Sequence, residues 1–168
     1  MAERIEEIRS VRNTDKAYVR FVNCTQRTVE LIWANFTGKN IVYQVLEQGQ
    51  FVDVNTFKKH PWIVLDKVTK DRLHIEGQFV YYPKTAKEYL HERFPTRQFP
   101  PDFNVRVQAT ITLPVYSLKY RCMLAIRNRC KLPKDVERLE LPIGIIEDLK
   151  RSIAYRNGQM LQPIIRIV

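Results

Sequence analysis

Between residues 17 and 113 the chain is built from short runs in which apolar and polar positions alternate. Val29, Leu31 and Trp33, and again Val105, Val107, Ala109, Ile111 and Leu113, put an apolar side chain at every second position. That is the period of a strand with one buried face. The runs fall at Tyr18–Val22, Thr28–Ala34, Ile41–Leu46, Phe51–Val54, Trp62–Asp66, Arg72–Ile75, Gln78–Tyr82 and Asn104–Leu113. Gly, Asn and charged turns separate them, a pattern that predicts an antiparallel β-sandwich of about seven strands. After Pro114 the period lengthens. Leu118, Cys122 and Ala125 recur at i, i+4 and i+7, and Ile146, Leu149 and Ile153 at i, i+3 and i+7. Both are helical spacings. Ser117 is suited to cap the first of these helices, and Pro142 to begin the second.

The expected fold is therefore α+β: a sandwich followed by a small three-helix α domain. Residues 1–16 are charged and aperiodic and read as a flexible lead-in. Residues 17–113 form the β domain, 114–153 the α domain, and 154–168 a tail of no clear pattern. The stretch 83–103 interrupts the β pattern. Within it, Lys84 to Phe94 predicts a short exposed helix with Tyr89, Leu90 and Phe94 on one side. Pro95, Pro100 and Pro101 then impose an extended connector.

Composition narrows the function classes. A hydrophobic content of 45% with 27% charged residues suits a globular protein. No apolar run approaches the ~20 residues of a membrane span, and residues 1–10 lack the apolar centre of a signal peptide, so an intracellular location is expected. Cys24, Cys122 and Cys130 form neither a C-x-x-C pair nor an even-numbered framework. His60, His74 and His91 are scattered, without ligand spacing or a nucleophile motif. Neither a metal, nor a cofactor, nor catalysis is expected. The net charge of +10 raises nucleic-acid binding. The Lys and Arg residues are spread over both halves, however, with no RNA-binding strand motif or phosphate loop, and a counter-surface to acidic partners or simple solvation accounts for them.

The stripe of Leu118, Cys122 and Ala125 has two readings: a helix packed on its own core, or an adaptor helix that docks in a partner's groove. Neighbouring segments bear on the choice. Ser117-Leu118-Lys119-Tyr120-Arg121-Cys122 resembles an elongin-binding BC box, and Leu141-Pro142-Ile143-Gly144-Ile145 resembles a cullin box. Upstream lie Val19-Arg20-Phe21-Val22-Asn23, Leu31-Ile32-Trp33-Ala34-Asn35-Phe36 and Ile111-Thr112-Leu113-Pro114-Val115-Tyr116. From about Val19 to Leu149 the chain resembles the von Hippel-Lindau tumour suppressor family.

The resemblance implies a non-catalytic substrate receptor of a cullin-RING ubiquitin ligase, found in cytoplasm and nucleus. Leu113, Leu118, Arg121, Cys122 and Ala125 would seat on elongin C, which brings elongin B. Leu141, Pro142 and Ile145 would help recruit the cullin scaffold with its RING protein. Trp33, Tyr43, Thr56, His60 and Trp62 fall where the family binds 4-hydroxyproline of the hypoxia-inducible factor α subunit, with Thr56 standing where the family has Ser. Asn55 and Phe57 flank that pocket and replace the His and Tyr of vertebrate members. By spacing alone, the two Trp residues read more readily as core and His60 as an ordinary satisfied side chain. Set against the family, 83–103 reads as an insertion. The family's closing helix has no counterpart either, since Gly158 and Pro163 interrupt and 161–168 reads as a strand. Two other functions remain open on these residues: an elongin-binding adaptor for a non-hydroxylated substrate, and a basic RNA-binding or scaffold protein.

Overall fold

The computed structural model describes residues 8–158. The chain divides into two compact units, Met1–Pro114 and Val115–Val168.

The first unit is a β-sandwich of seven strands. These are β1 (Lys16–Asn23), β2 (Val29–Ala34), β3 (Asn40–Leu46), β4 (Phe51–Phe57), β5 (Trp62–Asp66), β6 (His74–Ile75) and β7 (Val107–Thr112). One sheet runs β4-β1-β7-β6 and the other β3-β2-β5. Alternation drives the packing: Ala17, Val19 and Phe21 of β1 and Val107, Ala109 and Ile111 of β7 are buried while their neighbours face outward. β5 is buried along its whole length, so it reads as a continuous apolar run rather than an alternating one. Phe21, Leu31, Val64, Leu73 and Ile111 fill the space between the sheets.

Three expectations are corrected here. The sandwich is not wholly antiparallel, because β1 and β7 pair in parallel, with Val19 opposite Val107 and Asn23 opposite Ile111. The long separation of these two strands in sequence makes a parallel crossover available, which a hairpin does not. Second, 78–82 is no strand. Glu76 and Gly77 both take positive φ values, of 50° and 74°, turning the chain so sharply that the segment pairs only at single bridges, Ile75 to Gln78 and Trp62 to Tyr81. Third, the lead-in is fastened from residue 8 onward. Ile8 packs against Ile32, Ile63 and Leu65. Ser10 is buried, and its Oγ donates to the Ala34 carbonyl at 2.6 Å while accepting from Trp33 Nε1 at 2.7 Å. Charge and aperiodicity hid this, since a single hydroxyl, a single Ile and a few backbone hydrogen bonds do the anchoring.

The helix expected in 84–94 is α1 (Ala86–Arg93), closed at its start by a capping box between Thr85 and Glu88. Leu90 is buried, whereas Phe94 is exposed.

The second unit contains α2 (Leu118–Arg129), a 3₁₀ helix (Pro133–Arg138) and α3 (Ile143–Arg156). The middle helix of the expected three is thus a 3₁₀ segment. Ser117 caps α2, its Oγ accepting from Tyr120 N at 3.2 Å. Pro142 stands immediately before α3 rather than within it. Val136, Leu149 and Ile153 form a small core, flanked by Met123, Ile126, Cys130, Leu141, Ile145 and Ile146. Arg156 ties the end of α2 to α3, donating to the carbonyls of Arg127 and Cys130 at 2.7 Å each. The predicted strand at 161–168 lies outside the described residues.

Candidate functional site

The five aromatic and polar residues singled out in the β domain come from four strands and one turn. Trp33 lies on β2, Tyr43 on β3, Thr56 on β4 and Trp62 on β5, while His60 sits on the turn joining β4 to β5. Trp33 and Trp62 are direct partners across β2 and β5, where two rings of side chains meet. One ring holds His60. Its imidazole lies 5.6 Å from Trp33, 5.3 Å from Phe36 and 5.1 Å from Phe57, centroid to centroid. The other holds Trp62, 5.2 Å from Tyr43 and close to edge-on to it, and 5.1 Å from the core ring of Phe21. Thr56 stands against this second group, its Oγ1 accepting from Trp62 Nε1 at 3.4 Å.

The burial pattern is that of a floor and a wall. Trp62 is only 2% exposed, and Thr56 and His60 are also buried, whereas Tyr43 is 48% exposed. A buried Thr hydroxyl that accepts one long hydrogen bond still has a proton to donate. His60 uses its backbone N–H on the Phe57 carbonyl at 3.1 Å, but among the described residues its ring nitrogens have no hydrogen-bond partner. Burial drives its pKa below the ordinary histidine value, so the ring is neutral and has one nitrogen to accept and one to donate. A cleft of about 610 Å³ opens beside it, lined by Phe36, Phe57, His60 and the segment Arg12 to Asp15. Under Trp62, Tyr81 holds the strand by a reciprocal pair of 2.9 Å backbone bonds. Burial, and secondarily Glu76, raise the Tyr81 hydroxyl pKa to about 12.

Aromatic side chains thus gather at this end of the sandwich with two largely buried side chains, Thr56 and His60, that keep capacity for further hydrogen bonds. Two participants were not legible in advance. Ser10 orients the Trp33 indole from the lead-in, and Phe36 closes on both Trp33 and His60. Phe36 belongs to the Trp33-Ala34-Asn35-Phe36 run, but nothing in its spacing marks it. The flanking residues part company. Phe57 joins the ring around His60, whereas Asn55 faces the opposite side of β4 from Thr56, and its Oδ1 accepts from Arg106 at 3.1 Å.

In the helical unit the stripe turns outward. Leu118 is 78% exposed, and Arg121, Cys122 and Ala125 are exposed with it. Met123 and Ile126 supply the inward face instead. Leu113, at the end of the β unit, is also exposed. Of the second motif, Pro142 is exposed, while Leu141 and Ile145 pack on the helical core, so the outward apolar group there is Ile143. Among the described residues, no cluster of three or more His, Cys, Asp and Glu is placed to hold a metal. No described helix is long and apolar enough to cross a membrane.

Comparison with known proteins bears on the β domain. Residues 8–89 match the family model for the VHL beta domain. Over 110 residues the chain is 33% identical to Protein Vhl of Drosophila melanogaster, an alignment spanning 64% of this chain. The β domain of this chain is that of the von Hippel-Lindau family. Its aligned part corresponds to 58% of the length of that Drosophila relative. The family match begins at residue 8, where Ile8 and Ser10 fasten the chain to β2, so the anchored lead-in is part of the von Hippel-Lindau β domain. The match ends within α1, so the segment from there to Phe103 lies beyond it.

Proposed function

We propose that this protein is a non-catalytic substrate receptor that binds 4-hydroxyproline in the α subunit of a hypoxia-inducible factor and directs its ubiquitination. The observation that carries the reading is the pair Thr56 and His60, buried between aromatic rings with hydrogen-bonding capacity unused. The pyrrolidine ring would pack on Tyr43, Trp33 and Trp62, with its hydroxyl taking up the free capacity of Thr56 and His60. Unmodified proline would leave both polar groups unpartnered, and buried hydrogen-bonding sites reject such analogues by factors reaching ~10⁴. The pocket thus acts as an oxygen-dependent switch.

The outward stripe of α2 supports the adaptor half of the proposal. An exposed Leu118 beside Cys122 and Ala125 is the geometry of a helix that docks on a partner, here elongin C with elongin B. Pro142 and Ile143 present the adjoining apolar edge to the cullin, which brings the RING protein. The ligase chemistry belongs to those partners, and the cytoplasm and nucleus are where such a receptor would work.

The deciding experiment is titration calorimetry with two peptides identical except for proline or 4-hydroxyproline. The hydroxylated peptide is expected to bind at least ~100-fold more tightly. Equal binding would sink the hydroxyproline assignment and leave an elongin adaptor for another substrate.

A further inference from the structure

We infer that the segment between Tyr82 and β7 is a brace that positions the recognition end of β4, gripping it on both sides of Thr56. The inference rests on the hydroxyproline reading of Thr56 and His60. One grip is α1. Glu88 closes the capping box with Thr85, its Oε2 accepting from Thr85 N at 3.1 Å, while its Oε1 pairs with Lys58 Nζ. Lys58 lies on the turn between Phe57 and His60, so one carboxylate holds both the start of α1 and the turn that carries the imidazole. The same turn is held from the lead-in, where Lys58 N donates to the Asp15 carbonyl at 3.0 Å and Val11 N to the Lys59 carbonyl at 3.3 Å.

The other grip is Arg106, where the connector rejoins the sheet. From the position just before β7 its guanidinium reaches over β1 to β4, donating to the carbonyls of Val19 and Val54 at 3.3 and 3.2 Å and to Asn55 Oδ1 at 3.1 Å. Asn55 precedes Thr56 directly. The rigid fork of an arginine matches three acceptors on two strands, and a lysine cannot. Arg106 and Glu88 are positioning residues: they touch the strand and turn that touch the ligand.

The test uses the full chain, the proline and 4-hydroxyproline peptides, and amide hydrogen exchange of Phe57 to His60. Glu88→Gln keeps the capping box, since Gln also serves at that position, and removes the charge facing Lys58. Glu88→Gln and Lys58→Met should each weaken the hydroxylated peptide about two- to five-fold, the scale of a partly exposed ion pair. The double variant should be no worse than either single one, because both remove the same contact. Arg106→Met should weaken it about ten-fold, and Arg106→Lys should not restore it. In every variant the turn amides should exchange faster. Wild-type affinity and peptide preference in Glu88→Gln and Arg106→Met would overturn the brace, and so would faster exchange with unchanged preference, which marks a purely structural contact. Should wild type fail to distinguish the peptides, the hydroxyproline reading falls, and unchanged exchange in the variants would then overturn the brace separately.

Discussion

Individual side chains decide the chemistry. Thr56→Val keeps the shape of the floor beside Trp62 and removes the hydroxyl, so the preference for the hydroxylated peptide should fall at least ~10-fold while the proline peptide is little affected. Thr56→Ser should retain the preference. Titration calorimetry on both variants checks this. His60 adds a pH dependence whose sign follows from burial. Its folded pKa lies below the unfolded value, so the folded state binds fewer protons on acidification. The stabilisation is present above about pH 6.5 and is lost as pH falls toward the folded pKa. Peptide affinity should decline lower still, as pH falls through the folded pKa and the ring nitrogen that accepts becomes protonated. Denaturant melts and binding isotherms from about pH 7.5 to 5 would show it, and an acid-insensitive His60→Gln would assign it. Ser10→Ala should cost about 1–3 kcal/mol in chemical denaturation, because it strands the Trp33 indole N–H and the Ala34 carbonyl.

At the scale of an element, α2 illustrates how a helix separates two duties. Its inward face, Met123 and Ile126, helps cover Val136, Leu149 and Ile153. Its outward face carries Leu118, Cys122 and Ala125. Leu118→Ala should therefore leave stability within ~0.5 kcal/mol of wild type, yet remove about 2 kcal/mol or more of elongin C affinity, as a central apolar anchor does. A pull-down paired with a melting curve separates the two effects. Ile153→Ala should behave in the opposite way. It empties a fully buried position and should destabilise the helical unit by about 2–5 kcal/mol, losing elongin C only through unfolding. The proposed cullin contact is better probed at Ile143 than at Ile145, because Ile145 packs inward.

For the whole molecule, the two units differ in how completely they satisfy themselves. The sandwich has an extended core in which Phe21, Trp62 and Tyr81 pack ring on ring. Among the described residues, the helical unit buries few apolar side chains and exposes Val115, Leu118 and Ile143. A small core of that kind gains stability by mass action when a partner binds the folded form. Adding elongin C at ~100 times its dissociation constant should raise the stability of the helical unit by roughly 2.7 kcal/mol. The shift, read by hydrogen exchange of α3 amides, should vanish in Cys122→Arg.

Periodicity and local chemistry account for what the sequence determined by itself. Alternation at Val29, Leu31 and Trp33 specifies a half-buried strand without any partner being known. Ser117 and the i, i+4, i+7 spacing specify α2, and Thr85 with Glu88 specifies the start of α1, because caps are contacts between near neighbours. Trp33, Tyr43, Thr56, His60 and Trp62 were singled out by likeness to the family, since their spacing alone reads as ordinary core. Tertiary structure decided everything that depends on distant segments meeting. The parallel pairing of β1 with β7 joins residues far apart in the chain, Val19 with Val107, and no local period encodes it. Which side of α2 faces outward was equally open, because Leu118 and Met123 are both apolar and only the place of Leu149 and Ile153 selects between them. Ser10 and Phe36 entered the site, and Arg106 reached Asn55, through single long-range contacts that leave no repeat in the chain.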